Sequence, residues 1–131
     1  KEALLIFLNK RMDTDLLKTR RFRKEEHIKR FADIQKLFKT GKRFSVAGAK
    51  IFFSRNNLDF NRIAFPLPRG YGNAVERNRS KRYSRETYRF FKARLNTGFD
   101  ILFLVYPGND SFLSRCGQFK TLCKKAGLLK E

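Results

Sequence analysis

The sequence has few of the residue types that enzymes use for chemistry. It contains two cysteines, one histidine and no tryptophan. Two cysteines cannot build the disulfide framework of a secreted domain, and Cys116 and Cys123 do not have the spacing of a metal site. The single histidine, His27, excludes pairs of catalytic histidines and most zinc sites. No nucleophile with a base, no carboxylate pair and no cluster of metal ligands stands out, so we expect no catalytic residue and no metal site.

Acidic residues are scarce relative to basic ones. The 131 residues include 31 Lys plus Arg against 12 Asp plus Glu, which gives a formal net charge of +19. This excess favours a polyanionic partner, either nucleic acid or, on weaker grounds, an anionic membrane surface. Long apolar runs are absent as well, so the sequence predicts no membrane-spanning helix. The apolar residues 3–8 are too short for the core of a secretory signal, and we expect a cytoplasmic protein.

Phenylalanine, in contrast, is abundant, with 15 Phe in a composition that is 41% hydrophobic. A chain of this length is sufficient for one packed domain, which we place over residues 20–131. Residues 1–19 form an extension of unknown role. The basic arm over residues 20–24 is expected to be flexible in the free protein and to become ordered on RNA.

Hydrophobic periodicity predicts an α+β fold with helices on a small sheet. Apolar residues at helical spacing indicate helices, and alternation or a short apolar run indicates strands. Pro66 and Pro68 favour an edge strand over a central one. The predicted elements are a helix ending before Gly41, one long strand over 43–55, a strand over about 61–67, a helix over about 74–94, a buried strand over 100–106, and a helix between Ser111 and Gly127.

The helix over 74–94 carries the strongest sign of function. Nine basic and two acidic residues lie between Arg69 and Arg94. The exposed side of an ordinary helix normally mixes positively and negatively charged side chains, because like charges at i,i+3 and i,i+4 repel each other. Arginine, in contrast, binds phosphate oxygens in pairs, so we interpret the basic stripe as a nucleic-acid surface, with an ordinary solvated helix as the alternative. The stripe consists of Asn78, Arg82, Arg85, Arg89 and Lys92, with Lys81 beside it, and the opposite side carries Ser80, Tyr83, Thr87, Phe90 and Phe91.

The same helix contains an ordered motif. Residues 72–86 read Gly-Asn-Ala-Val-Glu-Arg-Asn-Arg-Ser-Lys-Arg-Tyr-Ser-Arg-Glu. This run resembles the signature of the protein subunit of bacterial ribonuclease P, a Gly-Asn-Ala-Val lead followed by Arg-Asn-Arg-x-Lys-Arg-x-x-Arg. Residues 21–28 and 33–41 resemble the opening arm and first helix of that family. The resemblance spans about residues 20–126.

The resemblance implies a fold and a function. The fold is a two-layer α/β sandwich like the second domain of ribosomal protein S5, with the order α-β-β-β-α-β-α and an uncommon left-handed β-α-β crossover. In that order the stretch 43–55 is divided into two strands. Catalysis belongs to an RNA subunit, which binds most of the Mg²⁺ and cleaves precursor tRNA to free its mature 5′ end. The protein, with one RNA-binding domain over 20–131, binds that RNA and the 5′ leader of precursor tRNA, and acts on no small-molecule substrate.

Matching positions in the resemblance imply two sets of RNA contacts. The residues that would meet the catalytic RNA are Arg77, Asn78, Arg79, Lys81, Arg82, Arg85 and Arg89. The leader cleft, between the first helix and the open face of the sheet, would contain Ile34, Phe38, Lys50, Phe52 and Arg69. Phe52 shares strand parity with Lys50, which independently indicates an exposed aromatic. Unpaired bases could stack on Phe38 and Phe52, although Phe38 fits a core position equally well.

Three departures from the family pattern weaken the expected leader contact. Ile34 stands where family members often carry Phe. Gly70 replaces the second residue of a frequent Lys-Lys pair, and Pro66 and Pro68 replace small or β-branched residues. An alternative function is a general basic RNA-binding protein, ribosomal or chaperone-like, without a role in tRNA cleavage. The sequence further predicts that the two cysteines are buried reduced thiols and that His27 is solvated or contacts one phosphate.

Overall fold

The computed structural model describes residues 21–108 and 110–130, so the predicted extension over 1–19 lies outside the described residues. The helices are α1 (Phe31–Thr40), α2 (Ala74–Phe91) and α3 (Phe112–Ala126), and the strands are β1 (Lys42–Val46), β2 (Ala49–Arg55), β3 (Arg62–Ala64) and β4 (Phe99–Val105). Single 3₁₀ turns cover Lys24–Glu26 and Lys92–Arg94. The predicted α+β class and the order α-β-β-β-α-β-α are confirmed.

The four strands form one mixed sheet in the order β1-β2-β4-β3. β1 and β4 both pair antiparallel with β2, whereas β3 and β4 pair in parallel and are connected through α2. β3 lies at the edge of the sheet, as Pro66 and Pro68 predict. It is only three residues long, shorter than the predicted strand over 61–67. Proline has no N–H for a ladder hydrogen bond, so pairing ends before these residues.

The prediction of one long strand over 43–55 is wrong, because a tight turn divides this stretch into two strands. Val46 pairs with Ala49, and the two residues between them connect β1 to β2. Gly48 has a φ of +82°, and a Cβ atom there would lie 2.8 Å from Nε2 of Gln118, so the turn requires glycine. Because of the turn, the side chains that face the core stand at even-numbered positions in β1 and at odd-numbered positions in β2. Alternation alone did not predict the turn.

The main core lies between one face of the sheet and the helices α2 and α3. Ile51, Ile101 and Phe103 from the sheet pack there with Tyr88 of α2 and Phe119 of α3. This arrangement forms the two layers of the sandwich. α1 packs on the opposite face of the sheet, where a smaller cluster contains the buried residues Ile28, Leu37, Phe52 and Leu102.

The ends of α2 and α3 are defined by local hydrogen bonds. The Asn73 side chain accepts from the backbone N–H of Glu76 at 2.8 Å, and the Glu76 carboxylate accepts from the N–H of Asn73 at 3.0 Å. This reciprocal pair of hydrogen bonds is a capping box. Ser111 caps the start of α3, and Gly127 ends it with a left-handed conformation at φ +73°. The register of the basic side chains on α2 is therefore fixed at its first turn.

Candidate nucleic-acid interface

α2 turns its polar side to solvent and its other side to the core. The buried residues are Ser80, Ser84, Thr87, Tyr88, Phe90 and Phe91. The predicted RNA-contacting residues Arg77, Asn78, Arg79, Lys81, Arg82 and Arg85 are exposed, and Arg89 is half-buried. Tyr83, predicted to face the core, is half-buried, and Ser84 and Tyr88 take the buried positions instead. One exposed surface of α2 thus carries all seven predicted residues.

The second half of the basic stripe is partly neutralised, although the sequence pattern placed no carboxylate within it. Nη1 of Arg89 lies 3.0 Å from Oε1 of Glu86, one turn earlier on α2. Nζ of Lys92 lies 2.7 Å from Oε2 of Glu26, which comes from the arm before α1. Among the described residues, no ion pair involves the five basic residues that precede Glu86 on α2. These are Arg77, Arg79, Lys81, Arg82 and Arg85. The unpaired positive charge of α2 is therefore concentrated there.

The segment before α1 is folded against α2, whereas flexibility of the arm over 20–24 in the free protein stays a prediction. The Glu26 side chain is 3% exposed. Its Oε1 accepts a hydrogen bond from Tyr88 Oη at 2.8 Å, and its Oε2 accepts from the backbone N–H of Arg23 at 2.8 Å. Lys92 Nζ also donates to the carbonyl oxygen of Arg21 at 2.7 Å. A buried carboxylate that is fully hydrogen-bonded in this way holds the arm in one position.

His27 lies in the same arm and is not simply solvated, as had been expected. Its ring stacks on Phe22 with centroids 3.7 Å apart, and it forms an isolated parallel bridge with Ile63 beside β3. Burial is the main cause that lowers the pKa of His27, and the positive charges of Lys29 and Arg85 lower it further, against an opposing effect of Glu26.

A buried arginine connects the first half of α2 to α3. Arg115 is 1% exposed, and its Nη1 donates to the carbonyl of Ser80 at 2.8 Å and to Oγ of Ser84 at 2.7 Å. Its Nη2 lies 2.6 Å from Oδ1 of Asp110. Tyr71 Oη lies 2.7 Å from Oδ2 of Asp110, and the pKa of Tyr71 is raised mainly by burial, so its hydroxyl remains a donor. The one sign of this network in the sequence is the position of Arg115 among the apolar residues Phe112, Cys116 and Phe119.

The predicted leader-cleft residues lie around the sheet face that α1 covers. Phe52 is 5% exposed, so the prediction of an exposed aromatic there is wrong. Strand parity places Phe52 on the outer face, but α1 packs over it with Leu37 and Ile34. The rings of Phe52 and Phe38 meet edge to face with centroids 4.9 Å apart. Phe38 is half-buried at the rim, so its ring remains partly accessible.

The other cleft residues are more dispersed. Ile34 and Lys50 are half-buried, and Nζ of Lys50 lies 5.8 Å from the ring centroid of Tyr106. Arg69 is exposed in the loop between β3 and α2. No hydrogen bond, ion pair or ring contact in the described ranges joins Arg69 to the other four residues. The structure therefore brings together Ile34, Phe38 and Phe52, with Lys50 two residues from Phe52 on β2.

The two cysteines are buried and reduced, as predicted. Burial raises the pKa of the Cys116 thiol to about 11 and also raises the pKa of Cys123. Residues 21–108 and 110–130 contain no group of three His, Cys, Asp or Glu side chains placed to hold a metal ion. Every helix in these ranges is too short or too polar to traverse a lipid bilayer.

Known proteins are similar to this chain in both sequence and fold. Residues 22–127 match the family model for Ribonuclease P. The ribonuclease P protein component of Syntrophus aciditrophicus is 33% identical over 107 residues, which cover 82% of this chain and 86% of that protein. The RNase P protein of Thermotoga maritima superposes with a TM-score of 0.69 at 26% identity, covering 76% of this chain and 96% of that one. A mutant RNase P protein of Staphylococcus aureus with defective mRNA degradation activity gives a TM-score of 0.74 at 25% identity, over 81% and 92% of the two chains. The chain therefore belongs to the ribonuclease P protein family, as a component of that endoribonuclease that partners its RNA subunit.

Proposed function

We propose that the exposed surface of α2 binds the catalytic RNA and that the rim of α1 binds the 5′ leader of precursor tRNA. In this way the protein assists, in the cytoplasm, the Mg²⁺-dependent cleavage that frees the mature 5′ end of tRNA. The RNA subunit and its Mg²⁺ supply the hydrolysis, so the side chains of the protein bind and orient RNA. The unpaired basic residues that precede Glu86 on α2 carry this proposal.

The geometry of α2 supports contact with a phosphate backbone. Arg82 and Arg85 are three residues apart, so their side chains leave the helix on the same side. Each guanidinium can bind two phosphate oxygens, and neither forms an ion pair within the described residues. The buried contacts of Ser80 and Ser84 with Arg115 hold the other side of the same turns. The RNA-binding side chains therefore project from a helix that does not have to reorganise on binding.

The rim of α1 has the residue types that bind a single strand. The partly accessible ring of Phe38 offers a stacking surface for an unpaired base. Phe52 lies beneath it and holds the ring in place, so Phe52 acts as a positioning residue. Lys50 and the exposed Arg69 supply positive charge for phosphates, and Ile34 forms an apolar wall without a ring. The leader contact that we propose is therefore carried mainly by Phe38.

The contact between α2 and RNA is tested by the salt dependence of RNA binding. Arg82→Ala and Arg85→Ala should each weaken binding to the RNA subunit and reduce the slope of log K against log salt by about one unit. Lys120→Ala removes an equal charge from an exposed position on α3 and should leave the slope unchanged. If Lys120→Ala has the same effect as the two arginine variants, binding depends on net charge alone. That result would favour the general RNA-binding alternative.

A further inference from the structure

The first residue of α1 exposes an aromatic ring. Phe31 shares the helical spacing of Ile34 and Leu37, but it is 74% exposed, whereas Leu37 is 3% exposed. Burial of such a ring would stabilise the fold, and this position forgoes that contribution. An isolated exposed apolar residue is ordinary on protein surfaces, so the ring alone does not define a site. The residues beside it give the ring a possible role.

An open depression of about 440 Å³ lies between the arm and the start of α1. Its lining consists of Lys24, Glu25, His27, Lys29, Arg30 and Arg62. The charge of Arg62 is already paired, because its guanidinium lies 2.6 Å from the Asp100 carboxylate. Within the described residues Lys24, Lys29 and Arg30 form no ion pair, and only one carboxylate, that of Glu25, lines the depression. The depression therefore has a net positive charge and suits a phosphate group.

Arg30, which lines the depression, directly precedes the exposed Phe31 in the chain. Phe31, Ile34 and Phe38 have the spacing i, i+3, i+7, so they lie on one side of α1. Seven residues of helix separate Phe31 from Phe38 by about 10 Å along the axis. A strand of RNA that follows α1 from the rim would thus meet a second ring at the start of the helix. The Phe31 ring lies one turn before Ile34, and Ile34 is the cleft position that lacks an aromatic ring.

We infer that Phe31 and the basic depression bind one unpaired nucleotide of RNA, with the base stacked on the Phe31 ring and its phosphate held by Lys24, Lys29 and Arg30. This inference rests on the proposed function, because it extends the path of single-stranded RNA along α1. An aromatic ring beside unpaired cations is the combination that binds single strands without sequence preference. The nucleotide can belong to the 5′ leader or to an unpaired segment of the RNA subunit, since both present the same chemistry.

The test compares Phe31→Ala and Phe31→Tyr in the full chain. Phe31→Ala should weaken binding of a short single-stranded RNA by about fivefold or more, the lower end of what one stacked base contributes. Phe31→Tyr retains a ring and should bind within twofold of the unchanged protein. Leu113→Ala removes another exposed apolar side chain, 53% exposed at the start of α3, and should have no effect. Equal affinities for Phe31→Ala and the unchanged protein would overturn the inference.

Two further experiments identify the source of the nucleotide. If it belongs to the leader, the loss caused by Phe31→Ala should appear in holoenzyme binding of precursor tRNA only when the leader is long. If it belongs to the RNA subunit, the loss should appear in holoenzyme assembly and be independent of the leader. Failure of the inference leaves the effects of Arg82→Ala and Arg85→Ala intact. If the proposed function is wrong, the protein will not stimulate cleavage, but its affinity for the short RNA can still be measured.

The single histidine gives a readout that a purely structural role of Phe31 would not change. His27 lines the depression, and its pKa is lowered by burial and by the positive charges of Lys29 and Arg85, against an opposing effect of the Glu26 carboxylate. A bound phosphate adds negative charge, so saturation with the short RNA should raise the pKa of His27 in an NMR titration. The joint change of Lys29 and Arg30 to alanine should abolish this increase. A pKa that is unchanged by saturating RNA would contradict phosphate binding in the depression.

Discussion

Replacing the buried carboxylate of Glu26 should destabilise the domain through the arm. Glu26→Gln keeps the shape of the side chain but removes its charge, which pairs with Lys92 at 2.7 Å. A hydrogen bond to a charged group contributes about 1.5–3 kcal/mol, and loss of one partner of a fully buried pair costs about 3–5 kcal/mol. The Lys92 side chain is 23% exposed and can turn to solvent, and glutamine still accepts hydrogen bonds. We therefore expect a loss of about 2 kcal/mol.

Urea unfolding followed by circular dichroism measures this loss directly. For a domain of this size a loss of about 2 kcal/mol also lowers the melting temperature by about 8 °C. Glu25→Gln is the matched control, because the neighbouring carboxylate is exposed and forms no ion pair within the described residues. It should change stability by no more than about 0.5 kcal/mol. If Glu26→Gln is as stable as Glu25→Gln, the buried contact with Lys92 and Tyr88 does not anchor the arm.

Three other predictions concern buried polar groups. Tyr71→Phe removes the hydroxyl bonded to Asp110 and should lower the free energy of unfolding by about 1–2 kcal/mol; an unchanged urea midpoint would contradict this role. Cys116 and Cys123 should resist alkylation by iodoacetamide at pH 8 until the chain is unfolded in urea, because both thiols are buried and have raised pKa values. Rapid labelling of the folded protein would refute this prediction. The pKa of His27 is lower in the folded than in the unfolded state, so its contribution to stability is present above pH 6.5 and is lost as the pH falls below it. His27→Gln should therefore lose less stability between pH 7.5 and 5.5, and equal losses would rule out this contribution.

The parts of the fold that local contacts determine were predictable from sequence. The start of α2 follows from Asn73 and Glu76, which bond to each other's backbone within one turn. The end of α3 follows from Gly127 in the same way. The hairpin between β1 and β2 was missed because Ala47-Gly48 is a weak turn signal and the alternation continues across it. Only the ribonuclease P resemblance placed a strand boundary there.

The parts of the site that depend on distant contacts were not predictable. Phe52 has the parity of an exposed position, and its burial depends on α1, which packs over the sheet from another part of the chain. The contact between Glu26 and Lys92 joins residues 66 positions apart, and Arg115 reaches Ser80 across 35 positions. A helical stripe identifies which residues of α2 share one side, but it does not identify which of them an acid from another segment neutralises.

Cleavage of precursor tRNA at low Mg²⁺ tests the central claim most directly. A bacterial ribonuclease P RNA would be assayed alone and with the protein, on substrates with long, shortened and absent 5′ leaders. The account predicts that the protein stimulates cleavage and that the stimulation increases with leader length. Phe38→Ala should remove the dependence on leader length, whereas Arg82→Ala should reduce stimulation for every substrate. Tight RNA binding without stimulation of any substrate would contradict the account.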